Sequence, residues 1–146
     1  YCNSLLAGLP QCHLKKIQYV QNAAARLIFR APKSDHVSPL LQKLHWLHIH
    51  CRIEHKISSL CYNSLSGIGP QYLSDLIQVY TSCRCLRSSS DTRILKIPKV
   101  KTKSYGQRSF AYQGPIIWNK LPLEIRHQGK IDGLKQALKT YLFRFQ

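Results

Sequence analysis

Hydrophobic residues recur at helical spacing along most of the chain. Leu14, Ile17, Val20, Ala24, Leu27 and Ile28 follow one another at steps of three and four, which predicts a helix with a single apolar face. Pro10 breaks the opening stretch YCNSLLAGL, and the helix must stop before Pro32. Its other face carries Lys15, Tyr19, Asn22, Arg26 and Arg30, with no acid before Asp35. A short helix is predicted next, with Ser38 as N-cap, Pro39 in the first turn and Leu40, Leu41 and Leu44 turned inward. A longer one runs from beyond Trp46 to about Leu65, with Ile49, Ile53, Ile57, Leu60 and Cys61 on one face and Gly67 and Gly69 at its end. Pro70 opens a further short helix with Tyr72, Leu73, Leu76 and Ile77.

The pattern shifts at Thr81. Ser88, Ser89 and Ser90 read as a loop, and Ile94 to Ile97 as a short strand stopped by Pro98. Helical spacing returns at Phe110, Ile117 and Trp118, where Gly114 and Pro115 predict a break into two pieces. Pro122 marks a turn or a first helical turn. The last helix places Ile131, Leu134, Leu138, Tyr141, Leu142 and Phe145 on one face, with Lys135 and Lys139 outside. The expected fold is mainly α: a small helical bundle of about six helices, with a minor β element near residues 93–103. Trp46 and Trp118, each set among apolar neighbours, are both expected to be largely buried.

Composition narrows the chemistry. At 146 residues the chain has the length of one domain, and 44% hydrophobic residues suffice for a packed core. Lys and Arg number 22 against 6 Asp and Glu, a formal net charge of +16. Such a balance points to a polyanion and away from calcium sites built on clustered carboxylates. No apolar run reaches the roughly 18 residues of a membrane-spanning helix. A membrane surface is set aside because no predicted helix joins a Lys/Arg flank to a strongly exposed apolar face. The opening residues lack the basic start of a signal peptide, and the absence of Met marks the chain as a fragment of a longer or processed protein. Its six cysteines are therefore expected to be reduced thiols, and the protein intracellular, in nucleus or cytoplasm.

Three kinds of site come into question. His45, His48, His50, Cys51 and His55 are dense, and His48, Cys51 and His55 fall on one helical face that suits zinc. Against this, Cys83-x-Cys85 is too tight for a structural zinc pair, so no metal site is assigned. For catalysis there is neither a G-x-S-x-G nor a P-loop pattern. The acids Asp35, Glu54, Asp75, Asp91, Glu124 and Asp132 are dispersed, whereas two-metal nucleotidyl transfer needs convergent carboxylates, so the chain alone is not expected to be an enzyme. Nucleic-acid binding fits best. One basic surface is the helix face with Lys15, Lys16, Tyr19, Arg26 and Arg30; the other runs through Arg84, Arg87, Arg93, Lys96, Lys99, Lys101, Lys103 and Arg108. Lys99, Lys101 and Lys103 alternate and would share one side of an extended chain. Tyr19, Tyr80, Tyr105 and Phe110 adjoin these surfaces as stacking aromatics.

Several blocks resemble the region after the palm of LINE-type, non-LTR retrotransposon reverse transcriptases of the jockey-like branch. They are YCNSLL at Tyr1–Leu6, KKIQYVQNAAARLI at Lys15–Ile28, DHVSPLLQKLHWL at Asp35–Leu47 and RIEHKI at Arg52–Ile57. They continue in the same order with PQYLSDLI at Pro70–Ile77, LRSS at Leu86–Ser89, GQRSF at Gly106–Phe110, WNKLPLEIR at Trp118–Arg126 and LKQALKTYLF at Leu134–Phe143. Where the family pattern carries Pro after the Trp-Leu pair, this chain has His48. The resemblance implies that residues 1–31 are the helical tail of the thumb, which grips primer and template. It makes 32–146 the C-terminal domain, divisible into helical residues 32–82, a basic loop and strand at 83–108 and a helical part at 109–146. It implies that template RNA or target DNA and the rest of the parent RNA-directed DNA polymerase are the partners. The catalytic aspartates and the magnesium they hold belong to the parent, and no cofactor is expected in this fragment. The alternative is a helical protein-interaction module, or a functionless truncated copy, derived from such an element.

Overall fold

Most helix ends in this chain are set by backbone geometry rather than by capping side chains. The structure, a computed structural model, describes residues 2–81 and 93–144. Helix α1 (Gln11–Phe29) starts at Pro10, whose carbonyl accepts from the N–H groups of His13 and Leu14. It ends in a Schellman turn: Arg30 adopts φ 50°, Ala31 N–H reaches Arg26 O at 3.0 Å, and Pro32 prevents continuation. Helix α2 (Ser38–Lys43) repeats the device with His45 at φ 53°. Val37 stands at its N-cap position, and Ser38 already lies inside the helix. Helix α3 (Ile49–Leu65) ends at Gly67, φ 69°, where glycine takes the left-handed conformation without the Cβ strain that Arg30 and His45 bear.

α3 is the central rod. Its Ile53, Ile57 and Cys61 are buried against α5 (Phe110–Asn119), α7 (Ile131–Phe143) and a 3-10 turn at Asn3–Leu6. The predicted break in α5 does not occur, and Pro115 sits inside a continuous helix. Packing explains this. Pro115 is fully buried, and Gly114 lets α5 approach so closely that an added Cβ would lie 3.1 Å from Cys61 Sγ. Burial of the ring and this approach offset the helix bond that Pro115 removes. α7 matches the sequence pattern, with Leu134, Leu138 and Leu142 buried. Two short helices, α4 (Gln71–Ser74) and α6 (Leu123–Arg126), complete the seven helices among the described residues. Tyr72 and Leu76, in and just after α4, are exposed rather than packed.

α1 corrects the hydrophobic pattern. The residues it buries are Leu14, Gln21 and Ala25, with Ile17 half-buried, while Val20 and Leu27 stand 70% and 80% exposed and Ile28 is exposed too. The cause is the partner surface. Gln21 Nε2 donates to Leu47 O at 2.9 Å, and Gln18 Oε1 accepts from Ile49 N–H at 2.9 Å. The first turn of α3 has N–H groups with no intrahelical acceptor. α1 supplies one through Gln18, so its docking face is partly polar. α1 therefore does join a basic flank to an exposed apolar stripe, contrary to the sequence reading.

Among the described residues the β element reduces to one antiparallel bridge, Val79 with Leu95, held by Tyr80 N–H to Ile94 O and Lys96 N–H to Gln78 O, both 2.8 Å. Residues 96–103 form no strand: the chain bends at Lys101 and turns from Lys103, so the lysine alternation is not set on an extended backbone. Leu95 is nonetheless buried, because α5 holds it. Asn119 Oδ1 accepts from Leu95 N–H at 2.9 Å, Asn119 Nδ2 donates to Leu95 O at 2.8 Å, and Trp118 Nε1 donates to Arg93 O at 2.8 Å. Trp118 is wholly buried, whereas Trp46 is only half-buried. Tyr1, Cys83, Arg84, Cys85, Leu86, Arg87, the serines at 88–90, Asp91 and Phe145 lie outside the described residues.

Candidate nucleic-acid interface

The cations named from sequence divide into two groups. Lys15, Lys16, Arg30, Lys96, Lys99, Lys101, Lys103 and Arg108 are exposed, as is Tyr19. Two arginines are engaged with the fold. Arg26 is half-buried and its Nη2 donates to Asp35 O at 3.1 Å, tying the end of α1 to the next turn. Arg93 is half-buried, and its Nη1 donates to Arg126 O at 2.8 Å and Gln128 O at 3.4 Å, which fastens residue 93 to the end of α6. Arg84 and Arg87 lie outside the described residues. An ion pair among the described residues, Lys135 with Asp132 at 3.5 Å, joins two exposed side chains of α7.

Tertiary structure brings Tyr105 and Arg108, both named from sequence, together with cations that sequence reading missed, Arg52, Lys56 and Lys139. A groove of about 950 Å³ opens between the Asn3–Leu6 turn, α3, α4 and residues 104–110. Lys56, Tyr72, Tyr105 and Arg108 line it, over an apolar floor that includes Leu60 and Phe110. A second groove, about 540 Å³, is lined by His45, Trp46, Arg52, His55, Lys56 and Lys139. Asn3, Leu47 and Lys56 stand where the second groove lies, and Asn3 and Lys56 also line the first, so the two meet there. Among the described residues no Asp or Glu lines either. Arg52 and Lys56 share a helix face because they stand four residues apart on α3. For the added cations that i, i+4 pair is a signal in the sequence; Tyr72 reads there only as part of a short helix and Lys139 only as an outward residue of the last one.

Tyr105 is presented on a braced turn. Gly106 N–H donates to Thr102 Oγ1 at 3.0 Å, Gln107 N–H to Thr102 O at 3.1 Å, and Ser109 Oγ to Gly106 O at 2.7 Å. Gly106 suits the tight packing there: a Cβ would lie 3.0 Å from both Thr102 Oγ1 and Val100 Cβ, so those side chains would have to give way.

The histidine and cysteine cluster is spread by the fold. Cys51 is buried and its thiol is pushed up to about 11, first by burial and then by Glu54; its Sγ lies 3.2 Å from His50 Nε2. His48 is held below its ordinary value by burial and then by His50. Burial also lowers His55, opposed by its contact with Lys135 O at 3.3 Å and reinforced by Lys139, Lys135 and Lys56. Among the described residues no group of three His, Cys, Asp or Glu is placed to hold a metal ion. Cys2, Cys12, Cys51 and Cys61 are free thiols. No helix among the described residues is long and apolar enough to cross a membrane. No known protein family, curated protein or solved structure matches the chain.

Proposed function

We propose that this chain is a non-catalytic nucleic-acid-binding module that grips template RNA or target DNA through phosphate contacts. This is the role implied by its resemblance to the thumb tail and C-terminal domain of LINE-type reverse transcriptases. One observation carries the reading: cations far outnumber acids, and no carboxylate among the described residues lines the two cation-lined grooves. A surface of that kind attracts a polyanion regardless of its sequence. Polymerase chemistry is not assigned to this chain. Asp35, Asp75, Glu124 and Asp132 are exposed, Glu54 is half-buried on α3, and Asp91 lies outside the described residues. By the resemblance, the magnesium of such polymerases would be held by the parent's other parts.

The test is a titration of the chain against RNA, DNA and RNA–DNA hybrid between about 50 and 200 mM salt. Four to six neutralised phosphates give a log–log slope of roughly −3 to −5, with little sequence preference. Absence of binding at low salt would overturn the reading. It would favour the second one, a protein-interaction module, which the exposed Val20, Leu27 and Ile28 of α1 support.

A further inference from the structure

We propose that the two grooves meeting at Asn3 and Lys56 form one track for single-stranded nucleic acid, with bases stacked on Tyr72 and Tyr105 and phosphates led past Arg108, Lys56, Arg52 and Lys139. This rests on the nucleic-acid reading and specifies where the strand lies and which form is bound.

The lining selects the ligand. Four cations, with no carboxylate among the described lining residues, favour an anion, and their spread over α3, α7 and the 104–110 segment favours an extended one. The larger groove is not a phosphate site alone. Tyr72 is 66% and Tyr105 84% exposed, yet Tyr105 sits on a hydrogen-bonded turn, so its ring is offered outward by a fixed backbone. Exposed aromatic faces beside cations over an apolar floor match a chain that alternates planar bases with phosphates. At about 950 Å³ the larger groove is already at the upper end of small-ligand clefts, and it continues into a second one. A linear polymer fits that continuity better than a mononucleotide does. Base pairing hides the faces that the tyrosines would stack on, so duplexes are disfavoured. The cations of the smaller groove come together from two helices: Arg52 and Lys56 of α3 and Lys139 of α7 line it.

The experiment measures fluorescence anisotropy of labelled oligo-dT and oligo-rU of about 12 nucleotides, and of a duplex of equal length, on the whole chain. Tyr72→Ala and Tyr105→Ala are each expected to raise Kd about 5- to 100-fold without changing the salt slope, because they remove stacking and no charge. Tyr→Phe at either position restores binding. Lys56→Ala and Arg108→Ala each flatten the single-strand slope by about 0.7. Unchanged melting curves are expected for the exposed tyrosines and serve as the folding control. An independent readout needs no variant: Cys2 lines the larger groove and Cys12 does not, so bound oligonucleotide slows maleimide labelling of Cys2 relative to Cys12 in peptide mapping. The dT and rU arms separate DNA from RNA, and tight binding of either supports the track. Wild-type affinity in the tyrosine variants, equal affinity for duplex, competition by poly-glutamate equal to that of oligo-dT, or unprotected Cys2 at saturation would each overturn it while leaving nucleic-acid binding in place. Failure of the wild-type chain to bind any nucleic acid removes both.

Discussion

Asn119 holds Leu95 as a neighbouring strand would, with its amide oxygen on the Leu95 N–H and its amide nitrogen on the Leu95 carbonyl. Asn119→Ala removes both bonds. Each contributes about 1 kcal/mol net. The Leu95 backbone groups are then left beside a side chain only 2% exposed, which adds about 1 kcal/mol even with some water access. Better helix propensity of Ala at the end of α5 returns about 0.5 kcal/mol. The expected net loss is about 2–3 kcal/mol, a fall in Tm of roughly 6–10 °C for a chain of this size. Urea and thermal melts measure the loss, with Lys120→Ala as the exposed neighbouring control. Hydrogen exchange adds a local readout, because the amides of Leu95, Lys96 and Tyr80 should lose protection together while those of α3 keep theirs. A loss below about 0.5 kcal/mol, the range of ordinary surface substitutions, would refute the view that a side-chain clip rather than strand pairing fixes this segment.

The register of α1 can be tested directly: Leu27→Ser should stay within about 0.5 kcal/mol of wild type, whereas Ala25→Leu, at a fully buried position, should cost about 1–3 kcal/mol in denaturant melts. The sequence pattern alone expects the reverse. Ser58 is fully buried on α3 and its hydroxyl has no partner among the described residues, so Ser58→Ala should leave stability unchanged or raise it by up to about 1 kcal/mol in the same assay. His48 and His55 both have folded values below 6.5, so the unfolded chain binds protons more readily. Their contribution is present at pH 7.5 and is lost as pH falls through about 6.5 toward the depressed values. Tm should therefore drop between pH 7.5 and 5.5, and a His48→Gln/His55→Gln variant whose Tm falls as steeply over that interval would contradict the assignment.

Hydrophobic periodicity alone located α3 and α7 to within a few residues, because each buries one face against apolar neighbours and a 3.6-residue repeat records that directly. The helix stops at Pro32 and Gly67 were equally local, since each depends on what one residue's backbone can adopt. The excess of cations was legible as a count. The rest depended on what each segment meets in the fold. α1 docks partly through Gln18 and Gln21, which satisfy the start of α3, so its apolar residues misreport which face is inside. α5 survives Pro115 because Gly114 admits the Cys61 side of α3, an approach no local rule contains. Leu95 bridges to Val79 and is clipped by Asn119, partners 16 and 24 residues away. The grooves are the extreme case: Asn3, Lys56, Tyr72, Arg108 and Lys139 come from five separate parts of the chain. Charge is a property of residues, but a charged cleft exists only where packed elements leave a gap, and the packing of α3 against α4, α5, α7 and the first turn decides where that gap lies.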